Sequence, residues 1–171
     1  MSRLPNPTRL SVACVLCVGL ICASGCAIRL APSYDRTVVT ALSATTEELM
    51  TFFASVSSGT DKATFGERKP SSDSLIGKLD AIKIQSAARP VPRSQFEQLL
   101  GLGPKMDASP QALQRSQPPS VAPVDLMSRT IVKMRDTDSE QGVTAIEVAA
   151  FKQQIAISMD QALTYEKALE R

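Results

Sequence analysis

The chain contains no histidine and no tryptophan, and aromatic residues fill 4% of its 171 positions. Without imidazole there is no Ser-His-Asp or Cys-His catalysis, no His metal ligand and no ordinary proton shuttle near neutral pH. With so few aromatics, a stacking platform for bases or glycans is not expected. The four cysteines are Cys14, Cys17, Cys22 and Cys26. Nothing beyond position 26 can therefore form a disulfide or a thiolate metal site. Phosphate-binding glycine loops are missing too. Gly101-Leu102-Gly103 runs straight into Pro104 and lacks the rest of any such pattern. No basic block points to nucleic acid, and no alternating β-branched run argues for a sheet.

What the chain does have begins at its first residues. Positions 1–9 carry Arg3 and Arg9 and no acid, and an uncharged apolar run of 14 residues follows from Leu10 to Ala23. The run closes on Ala23-Ser24-Gly25-Cys26. A positive segment, an apolar segment and a small-residue cleavage site make an export signal. The alternative is an uncleaved span, since Leu10 to Ile28 is 19 uncharged residues, close to the ~20 a membrane helix needs.

The Cys directly after small residues resembles the lipobox of bacterial lipoprotein precursors, although Ala23 stands where that motif favours Leu. The resemblance implies cleavage between Gly25 and Cys26, and lipidation of the Cys26 thiol. It also implies acylation of the new N-terminus. One acyl chain holds a protein only marginally, at about 0.8 kcal/mol per buried CH₂, whereas three would hold it essentially permanently. Ala27 after Cys26, rather than Asp, resembles the sorting signal for the outer membrane, facing the periplasm. Removing the signal takes Arg3 and Arg9 with it and leaves 17 basic residues against 17 acids. The slight positive charge belongs to the signal.

Residues 1–25 are thus expected to be the signal peptide and 26–33 a lipidated tether of at most about 25 Å. Residues 34–171 form a helical domain with an irregular proline-rich insert at about 89–123. Seven of the eleven prolines fall between Pro90 and Pro123. The first helix is expected over 34–57, N-capped by Ser33, with a stripe of Val38, Leu42, Thr45, Leu49, Phe52 and Val56. A loop over 59–72 precedes a second helix that opens at Ser72 or Asp73 and runs to about Ala88. Its face is Leu75, Ile76, Leu79, Ile82 and Ala87, and Pro90 and Pro92 stop it.

Inside the insert, Ser94-Gln95-Phe96-Glu97 is a capping box and Ser109-Pro110 a second helix start, with 116–123 as loop. A third helix is expected over 124–135, carrying Leu126, Met127, Ile131 and Met134. Thr137-Asp138-Ser139-Glu140 reads as a capping box that opens the last helix over 138–170. That helix buries Val148, Phe151, Ile155, Met159, Ala162 and Leu169, with Gly142 tolerated in its first turn. The fold class is all-α, a small antiparallel bundle of three to four helices.

Candidate chemistry is sparse. Asp136, Asp138 and Glu140 cluster where they could hold a hard cation such as Ca²⁺, but they lack EF-hand spacing, and acids at a helix start also serve its dipole. No metal, no cofactor and no catalytic residue is therefore expected. Glu47, Glu48, Lys152, Gln153 and Gln154 read as solvated faces. If the first and last helices pack antiparallel, Tyr34 and Asp35 meet Tyr165 and Lys167 as a membrane-proximal patch in which Asp35 pairs with Lys167. A Tyr-Asp soon after the Gly-Cys, a first helix ending in Phe52-Phe53 and a last helix ending near Glu166-Lys167 resemble small helical bacterial lipoproteins. That resemblance implies helical architecture and no activity.

These residues lead to two expectations. The first is a non-enzymatic envelope scaffold, tethered by its N-terminal lipid and bound to an envelope protein partner. The second is a module that holds a small apolar ligand or lipid between its helices, with Met127, Met134 and Met159 lining a soft cavity.

Overall fold

A computed structural model describes residues 31–89 and 117–170. Four α-helices make up the described chain: α1 (Arg36–Ser55), α2 (Phe65–Ala87), α3 (Val121–Glu140) and α4 (Ala145–Ala168). A 3-10 turn, Lys62–Thr64, leads into α2. No strand occurs among the described residues; an isolated bridge joins Gly59 to Thr144. The protein is all-α.

Helix α1 packs against α2 and α4, and α3 packs against the same two, so the helices stand at the corners of a square. The short α1–α2 and α3–α4 connections lie at one end and touch each other there: the Thr60 amide donates to the Val143 carbonyl at 2.7 Å. The start of α1, the end of α2, the start of α3 and the end of α4 share the opposite end. This is an up-down-up-down bundle. Val38, Leu42, Leu49, Leu79, Met127, Ile131 and Ile155 lie at its centre, each at most 1% exposed.

Several local expectations need correcting. Helix α1 is capped by Asp35 and not by Ser33: the Asp35 carboxylate accepts from the Thr37 amide at 2.9 Å. Phe53 is buried where Phe52 was expected; the two rings meet edge to face with centroids 5.9 Å apart. A straight helix drifts ~20° per heptad against a strict seven-residue repeat, so the seam shifts by one residue after Leu49.

Helix α2 starts seven residues earlier than Ser72 and contains Pro70. Proline cannot donate to the carbonyl four residues back, but Gly66 and Pro70 are both exposed and water can serve that carbonyl. Within α2, Ser86 is buried and Ala87 exposed. Helix α3 spans the expected 124–135 and extends it both ways, beginning inside the stretch expected as loop. Leu126 on it is partly exposed, at 37%.

The largest correction concerns Thr137–Glu140, which does not open a helix. Those residues end α3, and the chain turns at Gly142, whose φ of 82° lies in the left-handed region. Thr144 then caps α4 in a full capping box with Glu147. A glycine just past a helix end is the commonest stop signal, and it separates two segments expected as one start. On α4, Phe151 and Leu169 are half-buried, while Glu166 lies fully inside.

A polar seam fixes α2 against α3. Arg135 donates to Asp73 at 2.9 Å, Ser128 to Asp80 at 2.9 Å, and Lys83 to Asp125 at 3.2 Å. As the α2 number rises the α3 number falls in step, which is the mark of antiparallel register. These partly exposed pairs add little stability each but exclude slipped registers.

Candidate functional site

Two polar clusters are buried, one at each end of the bundle. At the loop end Asp138 is 5% exposed. Its carboxylate accepts from Arg68 Nε at 2.9 Å, from an Arg68 terminal nitrogen at 2.8 Å and from the Thr60 hydroxyl at 2.6 Å. Arg68 also donates to the Asp61 carbonyl at 2.8 Å and to Thr64 Oγ1 at 2.6 Å. Burial alone would raise the Asp138 pKa, but the Arg68 and Thr60 hydrogen bonds and the guanidinium charge outweigh it. The carboxyl is held below its ordinary value. Asp138 thereby ties α3 to the α1–α2 connection.

Two glycines make that closure possible. A Cβ on Gly142 would lie 2.6 Å from the Thr60 carbonyl oxygen, and one on Gly59 would lie 2.9 Å from the Val143 carbonyl oxygen. Each loop thus needs the other's missing side chain, and both glycines have positive φ. Between the loops lies an open depression lined by Ser58, Thr60, Asp61, Gln141, Thr144 and Glu147, among others. Its carboxylates are engaged: Asp61 accepts from the Ala63 amide and Glu147 from the Thr144 amide, both at 2.8 Å. Those two Thr144 bonds to Glu147, from amide and hydroxyl, hold its carboxyl below its usual range. Ile146, one turn away at the start of α4, is 83% exposed.

At the opposite end Arg89 and Glu166 form a two-pronged pair, with side chains 8% and 0% exposed. One prong measures 2.8 Å, and the other nitrogen meets Glu166 Oε1 and also donates to the Ser120 hydroxyl at 3.4 Å. Arg89 Nε and Ser86 Oγ are buried and find no hydrogen-bond partner among the described residues. Burial raises the Tyr165 pKa, helped by the neighbouring Glu166 charge.

The sequence candidates fall as follows. Asp136, Asp138 and Glu140 lie at the end of α3 and do not converge. Asp136 pairs with Arg135 at 2.9 Å, Asp138 is used by Arg68, and Glu140 is exposed. Among the described residues no group of three His, Cys, Asp or Glu side chains could hold a metal ion. Tyr34, Asp35, Tyr165 and Lys167 do share one end of the bundle, on α1 and α4. The expected Asp35–Lys167 pair is not formed: Asp35 caps α1, and Lys167 is exposed. The buried acid of that patch is Glu166, and its partner is Arg89.

Glu48 is also not free, since it pairs with Lys78 of α2. Lys152, Gln153 and Gln154 are exposed. Met127, Met134 and Met159 are packed into the core at 0%, 2% and 3% exposure. Gly25, Cys26 and the rest of 1–30, and the expected helical islands at Ser94–Glu97 and Ser109–Pro110, lie outside the described residues.

Sequence reasoning missed the Arg89–Glu166 and Arg68–Asp138 pairs. One signal for the first was legible: Glu166 falls on the same helical face as Ile155, Met159 and Ala162. An acid on a core stripe requires a buried cation. No protein-family model, no curated protein and no solved structure matches the chain.

Proposed function

We propose that the chain is a non-enzymatic cell-envelope protein, held on the membrane through lipid on Cys26 and presenting the loop end of its bundle to a protein partner. The supporting observation is the geometry of entry. The first described residues and α1's start lie at one end of the bundle. The paired loops, their depression and exposed Ile146 lie at the other, one helix length of about 30 Å away. Among the described residues, that end lies furthest from the chain's point of entry. The buried acids Asp138 and Glu166 are each engaged by an arginine, Arg68 and Arg89. Outer-membrane placement facing the periplasm belongs to the same reading and rests on Ala27.

A photo-cross-linking residue placed at Gln141 tests this in intact envelopes, with Glu47 on the side of α1 as reference. We expect a discrete adduct of higher mass from Gln141 and none from Glu47. Equal labelling from both positions, or none from either, contradicts a loop-end partner.

A further inference from the structure

The loop end differs from the rest of the bundle in its charge. The last turns of α1 and α3, the two connections and the first turns of α2 and α4 carry Asp61, Glu67, Asp138, Glu140 and Glu147 against Lys62 and Arg68. The remainder of the described chain is balanced, with ten acids and ten bases. The net negative charge of the described residues is therefore gathered at this one end.

Along the helices, Glu48, Asp73, Asp80, Asp125, Asp136 and Glu166 each pair with a lysine or arginine. Among the described residues no cation pairs with Asp61, Glu67, Glu140 or Glu147. Asp61 and Glu147 both line the depression between the loops. Each uses one oxygen as a cap, and the other, Asp61 Oδ2 or Glu147 Oε1, accepts no hydrogen bond from a described residue. Glu67 and Glu147 stand in first turns, where a negative charge complements the helix dipole. Glu140 does not: it is the last residue of α3, where the dipole favours a cation, and it is exposed. Its charge works against its own helix, so fold stability does not account for it. Ile146, between Ala145 and Glu147 of the rim, adds an apolar point that is 83% exposed.

We propose that the protein partner at the loop end docks through a basic segment, with a lysine or arginine seated in the depression between Asp61 and Glu147 and an apolar side chain against Ile146. This rests on the loop-end reading and gives that partner its chemistry. Unpaired like charges gathered at one end add their fields over a Debye length of about 10 Å. They draw a cationic segment to this end and set its orientation on arrival. An acidic segment would be repelled there, and an uncharged one would strip water from carboxylates without replacing it.

The photo-cross-linking residue at Gln141, used on the full chain in isolated envelopes, tests this when the carboxylates are neutralised without losing their caps. In Asp61→Asn and Glu147→Gln an amide oxygen still accepts from the Ala63 and Thr144 amides. Combined with Glu140→Gln, these substitutions are expected to lower the adduct yield roughly threefold to tenfold. Glu47→Gln, on the side of α1, is expected to leave it unchanged. Raising salt from about 0.1 M to about 1 M shortens the Debye length from ~10 Å to ~3 Å. That change should lower the wild-type yield and alter the triple variant little. Sequencing of the cross-linked peptide is expected to find a lysine or arginine beside the attached residue. No adduct from wild type overturns the loop-end reading, and this proposal with it. A wild-type adduct that neither neutralisation nor salt reduces leaves the loop-end partner standing and overturns the basic segment. The proposal is overturned as well by an equal loss in Glu47→Gln, by an acidic cross-linked peptide, or by an adduct to a second copy of the chain.

Discussion

The two ends of the bundle bury the same chemistry, an arginine on a carboxylate, under different conditions. At the loop end both Asp138 oxygens accept good hydrogen bonds, and Arg68, with its side chain 16% exposed, has further acceptors in Asp61 and Thr64. At the other end Glu166 is fully buried, and Arg89 Nε and Ser86 Oγ find no partner among the described residues. A pair whose members have other partners can lose one cheaply. A pair sealed inside cannot, because the survivor keeps its charge without water. The loop end is a clamp with redundancy, and the opposite end is a single lock.

That contrast orders the expected effects. Glu166→Ala leaves the Arg89 guanidinium buried and unpaired, and should cost about 3–5 kcal/mol, read as a lowered urea midpoint. Replacing both partners with apolar residues, Arg89→Met with Glu166→Leu, should recover most of that loss or exceed wild type. A double variant as unstable as Glu166→Ala would mean that the pair itself holds the end together. Next comes Gly142→Ala at the loop end, where left-handed backbone and a Cβ 2.6 Å from the Thr60 oxygen should together cost about 2–3 kcal/mol. The same measurement on Gly66→Ala should show no loss, because nothing lies within 4 Å of a Cβ there.

Asp138→Asn should cost less, about 2 kcal/mol, since Arg68 retains Asp61 and Thr64. Acid should reproduce part of that smaller effect. The folded Asp138 pKa is lowered, so the clamp's contribution is fully present above the unfolded carboxylate pKa of about 3.9. It is lost as pH falls through the lower folded value. Below about pH 4 wild type should therefore approach Asp138→Asn in stability. A gap between them that stays constant from pH 7 to pH 3 would contradict an ionised clamp.

The helical architecture was legible because the stripes are regular: Val38, Leu42, Thr45 and Leu49 are buried as their spacing requires. Helix boundaries were less so. Thr137-x-x-Glu140 and Thr144-x-x-Glu147 carry the same capping pattern, and local sequence does not separate a helix end from a helix start. Gly142 between them was the deciding residue, and it acts through contact with Thr60, distant in sequence. Pro70, inside the stretch 59–72 expected as loop, lies within α2. It reads as a breaker, yet an exposed carbonyl removes most of its cost. The buried pairs join residues 70 and 77 positions apart, and no periodicity carries such partnerships. The polar seam between α2 and α3 was hidden in the same way, because Asp73 reads as a helix start and Asp80 carries no local signal until Arg135 and Ser128 face them.

The functional account rests on which end of the bundle is held, and that turns on Cys26. Metabolic labelling with a fatty acid, comparing wild type with Cys26→Ser, tests it most directly. Wild type should incorporate the label and migrate as the cleaved form. Cys26→Ser lacks the accepting thiol but keeps the apolar signal, so it should remain uncleaved and unlabelled. Membrane association alone would not distinguish the two, because the retained run from Leu10 to Ile28 could itself act as a span. Fatty-acid label persisting on the Cys26→Ser chain would contradict the account.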